Sequence, residues 1–173
     1  MWLKLAGSIL VVAAGAGIGF SLAGRYNERP RQICQAVSCL TALASYIGYA
    51  SMPLGEALGR AAGGVAGPVG EFFRRTAAVL TTRGWLTPAE AMAEVMAEAG
   101  PALAWQRPER EILLLLGANL GVTNREEQQK YLALVTDQLR RLEQESLSLR
   151  DQNVKMYQYL GVCGGLAVAI LLV

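Results

Sequence analysis

The sequence predicts an all-α protein: a helical bundle of about six helices between an N-terminal and a C-terminal transmembrane helix. One observation is the distribution of charge. Lys4 is the only charged residue before Arg25, and none follows Lys155. Hydrophobic side chains make up 53% of the chain, and the two nearly uncharged ends carry the excess. The other is that the middle repeats apolar residues at helical spacing without convincing strand alternation. The prediction divides the chain into an N-terminal anchor (1–24), a middle helical domain (25–156) and a C-terminal anchor (157–173).

The N-terminal anchor is predicted from the uncharged apolar run 5–24, which is about long enough to cross the hydrocarbon core as a helix. A cleaved signal peptide is the alternative. Ala14-Gly15-Ala16 resembles a small-residue cleavage site, and Lys4 would supply the charged start. The run stays apolar through Leu22, beyond the point where a signal peptide becomes polar, and this favours an uncleaved anchor.

The C-terminal anchor is predicted from the apolar run 157–173, which is short for a spanning helix. Tyr157 and Tyr159 stand where an interfacial aromatic belt places tyrosines. Basic residues flank both anchors on the side of the middle segment: Arg25, Arg29, Arg31, Arg150 and Lys155. Because positive flanks stay in the cytoplasm, the middle domain is predicted to face the cytoplasm.

The middle domain is predicted to consist of amphipathic helices that are separated by glycine, proline and capping residues. The first runs from 28 to about 49. A short helix follows, with Pro53 at its first position and Gly63-Gly64 at its end. The next three are opened by Gly67-Pro68, by the capping box Thr87-Pro88-Ala89-Glu90 and by Pro108. The apolar run 112–116 is predicted to be the most buried part of the domain.

The last helix is predicted to be the longest. Its start is predicted from the capping box Thr123-Asn124-Arg125-Glu126. Neither glycine nor proline interrupts the chain until Gly161, so we expect the helix to continue into the C-terminal anchor. Its stripe has the alternating three- and four-residue spacing of a heptad seam: Leu132, Val135, Leu139, Leu142, Ser146, Leu149, Asn153 and Met156. Packing of this stripe on the domain's own helices is favoured over a dimeric coiled coil.

Enzymatic chemistry, a metal, a cofactor and nucleic-acid binding are not expected. The chain has no histidine, which removes the commonest general base and zinc ligand. The segment 63–67 is glycine-rich but lacks the lysine and hydroxyl residue of a phosphate-binding loop. No long basic stripe that would suit nucleic acid is present.

Two further groups of side chains have ordinary interpretations. Cys34 and Cys39 would project about 140° apart on one helix, so they are expected to be free thiols. Glu90, Glu94 and Glu98 would share one helix face. This face is expected to be an ordinary polar surface, with an acidic docking surface as the alternative.

Three stretches resemble the stage III sporulation protein AB family, in the same order and with both anchors. They are RYNERPRQ (25–32), MPLGEAL (52–58), which is similar to the family's Pro-Leu-x-x-Ala-Leu helix start, and LGANLG (116–121), which is followed by Arg125, Glu126 and Gln128. Asn124 departs from the expected aspartate, but asparagine caps a helix equally well. The Pro-Leu-x-x-Ala-Leu element also resembles the helical cytoplasmic domain of type II secretion F proteins, so the middle domain (25–156) is expected to be similar to that domain.

The resemblance implies a role in endospore formation, within a secretion-system-like, channel-like complex in the mother-cell membrane that faces the forespore. It also implies that the cytoplasmic domain docks a cytoplasmic secretion-type ATPase, the stage III sporulation protein AA, and couples it to other stage III sporulation membrane proteins. The residues expected to contact the partner are Arg25, Arg29, Arg31, Pro53, Leu54, Asn124, Arg125 and Glu126.

Each of these contacts has an alternative. Arginine suits docking on carboxylates, but Arg25, Arg29 and Arg31 would equally well contact anionic lipid. The segments 53–58 and 120–126 would equally well serve only to cap helices. The alternative function is a structural membrane organiser that self-associates through its long C-terminal helix without an ATPase partner.

Overall fold

The computed structural model describes residues 27–48, 52–122 and 124–172, with side-chain surroundings given up to residue 152 and at Met156. The described residues contain six α-helices and no strand. Residues 27–48 lie in α1. The others are α2 (Leu54–Gly63), α3 (Gly67–Thr82), α4 (Pro88–Ala99), α5 (Arg107–Asn119) and α6 (Arg125–Leu172). A 3₁₀ turn, Gly100–Ala102, follows α4. The predicted helical class and the order of the helices are confirmed.

The two predicted anchors are at the ends of the chain. Residues 1–24 and Arg25 lie outside the described residues. The long helix α6 continues without interruption for 48 residues to Leu172, as predicted. In the part of the chain that the structure describes, no helix combines the length and the apolar character needed to cross a membrane.

Capping side chains and prolines define where the helices begin. At α4 the predicted capping box is present: the Glu90 N–H donates to Thr87 Oγ1 at 3.3 Å, and the Thr87 N–H donates to Glu90 Oε2 at 2.8 Å. The Thr87 N–H and, second, the Thr87 hydroxyl both donate to the Glu90 carboxylate, and these two hydrogen bonds lower the pKa of the Glu90 carboxyl. The prediction for Pro53 is wrong by one residue. Its backbone is extended (ψ 142°), so Pro53 precedes α2 and the helix begins at Leu54.

The start of α5 also differs from the prediction by one residue, but in the opposite direction. The helix begins at Arg107, one residue before Pro108. The Gln106 N–H donates to Glu109 Oε2 at 2.8 Å, and this hydrogen bond compensates for the burial of the carboxylate in the first turn of the helix.

One hydrophobic core joins the six helices, and all its buried members lie within the compact unit Arg31–Gln144. The remaining described residues, 27–30 and 145–172, belong to a second unit. The largest fully buried side chains are Ile33, Leu40, Leu43, Leu58, Phe72, Phe73, Met92, Leu113, Leu116, Leu120, Leu132 and Leu139. Because Leu132 and Leu139 belong to this core, the first half of the α6 stripe packs on the domain's own helices.

The prediction that the apolar run 112–116 is the most buried part of the domain is wrong, because only two of its five side chains are buried. Leu113 and Leu116 are 0% exposed, whereas Leu115 is 58% exposed. Successive residues of an α-helix are 100° apart, so five consecutive side chains cannot all face one core.

Polar contacts fix several helix junctions. Gln32 is buried on α1, where its Nε2 donates to the Ala102 carbonyl at 3.1 Å and its Oε1 accepts from the Ala104 N–H at 2.7 Å. On α3, Arg74 Nη1 donates to the carbonyls of Ala62 and Val65 at the end of α2, at 3.3 Å and 3.2 Å. These contacts satisfy backbone groups that the helices leave open at their ends.

The three glutamates of α4 are all engaged within the domain. Arg83 donates to both carboxylate oxygens of Glu94, at 3.1 Å and 2.5 Å, and Arg75 pairs with Glu98. Glu90 closes the capping box. The alternative interpretation of this face as an acidic docking surface is therefore not supported, because its carboxylates bind α3 and the helix start.

Candidate protein-docking groove

A groove lies where the end of α1, the start of α2 and the start of α6 meet. Its volume is about 240 Å³, and it is lined by Ile47, Met52, Leu54, Gly121, Arg125 and Gln128. Ile47 is buried, and Met52 and Leu54 are partly buried against the core. The groove therefore has an apolar floor and one polar side.

The start of α2 positions Leu54. The Pro53 carbonyl accepts the Ala57 N–H at 2.9 Å and so begins the helical hydrogen-bond pattern. Ala57 and Leu58 point into the core with 0% exposure. Leu54 lies one turn before Leu58, at the rim of the core, and its side chain remains partly accessible in the groove.

The turn after α5 brings the chain back to α2. The Leu120 N–H donates to the Leu116 carbonyl at 3.0 Å, and Leu120 is buried. Gly121 follows with a φ of 82°, a conformation that favours glycine. A Cβ placed on Gly121 would lie 4.0 Å from Leu54 Cδ2, so the two segments are close neighbours here.

The start of α6 positions the polar side of the groove. Asn124 Oδ1 accepts the Glu127 N–H at 2.9 Å, and the Asn124 carbonyl accepts the Gln128 N–H at 3.0 Å. Asn124 is thus the N-cap, one residue later than in the predicted capping box, which begins at Thr123. Thr123 itself lies outside the described residues. Arg125 and Gln128 are three residues apart on one face of the helix, and both line the groove.

Replacing Asn124 with alanine is expected to lower the free energy of unfolding by about 1 kcal/mol, because the Glu127 N–H loses its acceptor. Asn124→Asp keeps an acceptor oxygen and should leave stability unchanged or slightly raised, since a negative charge suits a helix N-terminus. Chemical unfolding of the three proteins would measure this. Equal losses in both variants would contradict the capping role.

The structure divides the predicted contact residues into groups. Leu54 and Arg125 are brought together in the groove, and Pro53 and Asn124 immediately precede them in the chain. Glu126 is exposed in the first turn of α6 but does not line the groove.

Of the predicted contacts Arg25, Arg29 and Arg31, Arg31 lies apart from the groove. Arg31 is exposed near the start of α1, about 24 Å along the helix axis from Ile47 at a rise of 1.5 Å per residue. Arg29 is half-buried in the first described turn of α1. Arg25 lies outside the described residues. Arg31 and Arg125 therefore do not belong to one compact site.

Ile47, Met52 and Gln128 line the groove but lie outside the predicted contact residues and segments, and Gly121 lies in the predicted segment 120–126 without being one of the named contacts. Met52, Gly121 and Gln128 lie in or beside the stretches that resemble the sporulation family, and this position is the sequence signal by which they could have been predicted. Ile47 was assigned only to the apolar stripe of α1. Nothing local marks it as the floor of a groove, because its other walls are distant in the chain.

The groove has a chemistry suited to binding. Its described lining residues are one arginine, one glutamine, one glycine and three apolar side chains. Among the described residues, no group of three or more His, Cys, Asp or Glu side chains could hold a metal ion. Cys34 and Cys39 are free thiols, as predicted, and burial raises the pKa of Cys39 to about 12.

The fold and groove define a helical-bundle protein with a small amphipathic concavity, and three comparisons give its family. The sequence model of the family described as Stage III sporulation protein AB matches residues 4–173. The chain is 32% identical over 170 residues to Stage III sporulation protein AB of Bacillus subtilis (strain 168), covering 98% of this chain and 99% of that protein. A solved structure of Stage III sporulation protein AB superposes with a TM-score of 0.66 at 29% identity, covering 72% of this chain and 98% of that chain.

The chain belongs to the stage III sporulation protein AB family. The resemblance seen in the three sequence stretches is thereby confirmed. Membership implies a role in sporulation, in a family of sporulation proteins and not of known enzymes.

Proposed function

We propose that this chain is a non-enzymatic platform subunit of a secretion-system-like sporulation complex. It docks a cytoplasmic secretion-type ATPase, the stage III sporulation protein AA, at the mother-cell membrane and is required for endospore formation. The observation that supports docking is the groove, in which Leu54 and Arg125 come together from the two stretches, 52–58 and 116–128, that resemble the family.

The membrane part of the proposal is supported by the distribution of charge and apolar residues. The runs 1–24 and 157–173 would act as anchors and would contact other stage III sporulation membrane proteins. The basic residues on the inner flanks of both runs support a cytoplasmic location for the middle domain. A single helix, α6, would connect the groove segment with the second anchor.

The arginines and the groove take different roles in this proposal. Arg25, Arg29 and Arg31 directly follow the proposed anchor in the chain, so we assign them to the anionic membrane surface. The groove is the proposed ATPase contact, because partly exposed apolar side chains beside a guanidinium are typical of the central residues of protein interfaces.

The docking test compares two leucines of the full chain in lipid nanodiscs. Leu54→Asp places a carboxylate in the groove and is expected to weaken ATPase binding about ten-fold or more, as loss of an interface anchor does. Leu115→Asp makes the same chemical change on the exposed face of α5 and should leave binding unchanged. Biolayer interferometry would measure the dissociation constants, and unfolding curves would verify that both variants fold. Failure of the unaltered chain to bind would refute the proposed function.

The sidedness test uses a single exposed thiol. Trp85→Cys replaces a side chain that is 78% exposed, in a protein that also carries Cys34→Ser and Cys163→Ala. Cys39 can remain, because it is buried and its pKa is about 12. A membrane-impermeant maleimide is expected to label the protein only after the cells are permeabilised. Labelling in intact cells would place the domain outside and exclude a cytoplasmic ATPase.

The alternative function, a membrane organiser that self-associates through α6, is favoured by one observation. Leu149 and Met156 continue the seven-residue spacing from Leu142 and are 41% and 45% exposed. Leu139 does not suit a test of self-association, because it is buried in the core and a charge there would unfold the domain. Leu149→Glu with Met156→Glu should abolish cross-linked dimers if the alternative is correct, and unchanged cross-linking would count against it.

A further inference from the structure

We infer that the groove selects a partner segment in which a large apolar side chain stands beside a single carboxylate. This inference deepens the proposed function and rests on it for the identity of the partner, an acidic and apolar segment of the docked ATPase. It follows from the juxtaposition of Ile47, Met52 and Leu54 with Arg125 and Gln128 in one concavity.

The apolar half of the groove determines the size of the partner's apolar side chain. Ile47 closes the floor, and Met52 and Leu54 remain partly accessible above it. The volume of about 240 Å³ is sufficient for one large apolar side chain, since a cavity of about 150 Å³ holds benzene. Methionine adapts its shape to different apolar groups, so the groove would accept several aliphatic or aromatic side chains.

The polar half of the groove determines that the neighbouring group of the partner is a carboxylate. Among the described lining residues, Arg125 is the ionised one. A guanidinium has five N–H donors in a planar fork that matches a carboxylate, and Arg125 is exposed. Gln128 adds an amide on the same face, and the N-terminus of α6 contributes a positive potential. A cationic partner segment would be repelled at this position.

The neighbouring carboxylates limit the partner to few negative charges. Glu126 and Glu127 follow Arg125 in the first turn of α6 and are exposed outside the groove lining. At 100° per residue they point away from the face shared by Arg125 and Gln128. A single carboxylate can pair with the guanidinium, whereas a run of acidic residues that extends past Arg125 over the start of α6 would be repelled by these glutamates.

The test begins with a probe that does not depend on the ATPase. A phage-displayed library of random 12-residue peptides is selected on the full chain in nanodiscs of zwitterionic lipid. The enriched peptides are expected to pair a large apolar residue with one adjacent Asp or Glu. They should bind the Arg125→Glu chain at least ten-fold more weakly than the unaltered chain. Arg140→Glu, which makes the same charge change on an exposed part of α6, should bind them normally.

Several outcomes would overturn the inference. These are the absence of enriched peptides, enrichment of basic or purely apolar peptides, and binding that is the same for Arg125→Glu. An Arg125-dependent association with anionic vesicles, or of the chain with itself, in place of peptide binding would assign the groove to lipid headgroups or to a second copy and would equally overturn it.

ATPase binding then separates the inference from the proposed function. If acidic and apolar peptides bind but the ATPase does not, the groove chemistry stands and the proposed partner is wrong. If the ATPase binds unaltered and Arg125→Glu chains equally, the platform function stands and the groove inference is wrong. If the ATPase is the partner and the groove chemistry is also correct, changing the matching Asp or Glu of the ATPase to arginine should restore its binding to the Arg125→Glu chain.

Discussion

Leu116→Ala is expected to lower the free energy of unfolding by about 2–5 kcal/mol, the range for truncating a leucine in a well-packed core. Leu116 is fully buried in the core cluster, and α5 cannot move inward to fill the space because Gly117 already touches α4. Chemical unfolding of the detergent-solubilised chain would measure the loss. Tryptophan fluorescence is a suitable signal, since the Trp105 ring is buried with its centroid 5.3 Å from that of Phe72.

Leu115→Ala is the matched control, with the same chemical change one residue away. Its side chain is exposed on the other side of α5, so the expected change is within about 0.5 kcal/mol. Similar losses at positions 115 and 116 would mean that the whole apolar run is buried, as the sequence had suggested, and would contradict the structure.

Gly117→Ala is expected to destabilise the domain by about 1–3 kcal/mol, although alanine is the better helix former. A Cβ at this position would lie 2.8 Å from Ala89 Cα, 2.9 Å from Ala89 N and 3.1 Å from Met92 Sδ. Two of these atoms belong to the backbone of α4, which cannot rotate away as a side chain can. The two helices would have to separate, and apolar contacts along their interface would weaken.

Gly59→Ala in α2 is the control with the opposite expected sign. There the new Cβ would lie 3.7 Å from Ala77 Cβ, an ordinary van der Waals contact. The substitution should stabilise the protein by about 0.5–1 kcal/mol, because alanine loses less backbone entropy in a helix. Thermal melts of the two variants should therefore shift in opposite directions. A stabilised Gly117→Ala would show that α4 and α5 are not as close as the structure describes.

The helices were predictable because their signals are local. The capping box of Thr87 and Glu90 lies within four residues and is present as predicted. The absence of glycine and proline between 125 and 160 predicted the continuous helix α6. The errors at Pro53 and Pro108 are single residues at helix starts, where proline fits the N-cap and the first helical positions almost equally well.

The candidate site was predictable only in part. Sequence resemblance selected Leu54 and Arg125, which do meet, but it also selected Arg31, which lies far along α1 from the groove. Charge and motif identify residue types that suit contact. They do not identify which of those residues share a surface, because that depends on how the helices pack.

The sequence by itself determined the helical class, the positions of the helix starts to within a residue and the family, since each depends on spacing within a few turns or on residue identity along the chain. Tertiary structure alone decided which leucine of the run 112–116 faces the core and why Gly117 has no room for a side chain. It also decided that Ile47, Leu54 and Arg125 line one groove. The physical reason is that burial and close approach are set by contacts between segments distant in the chain, such as that of Gln32 with Ala102 and Ala104.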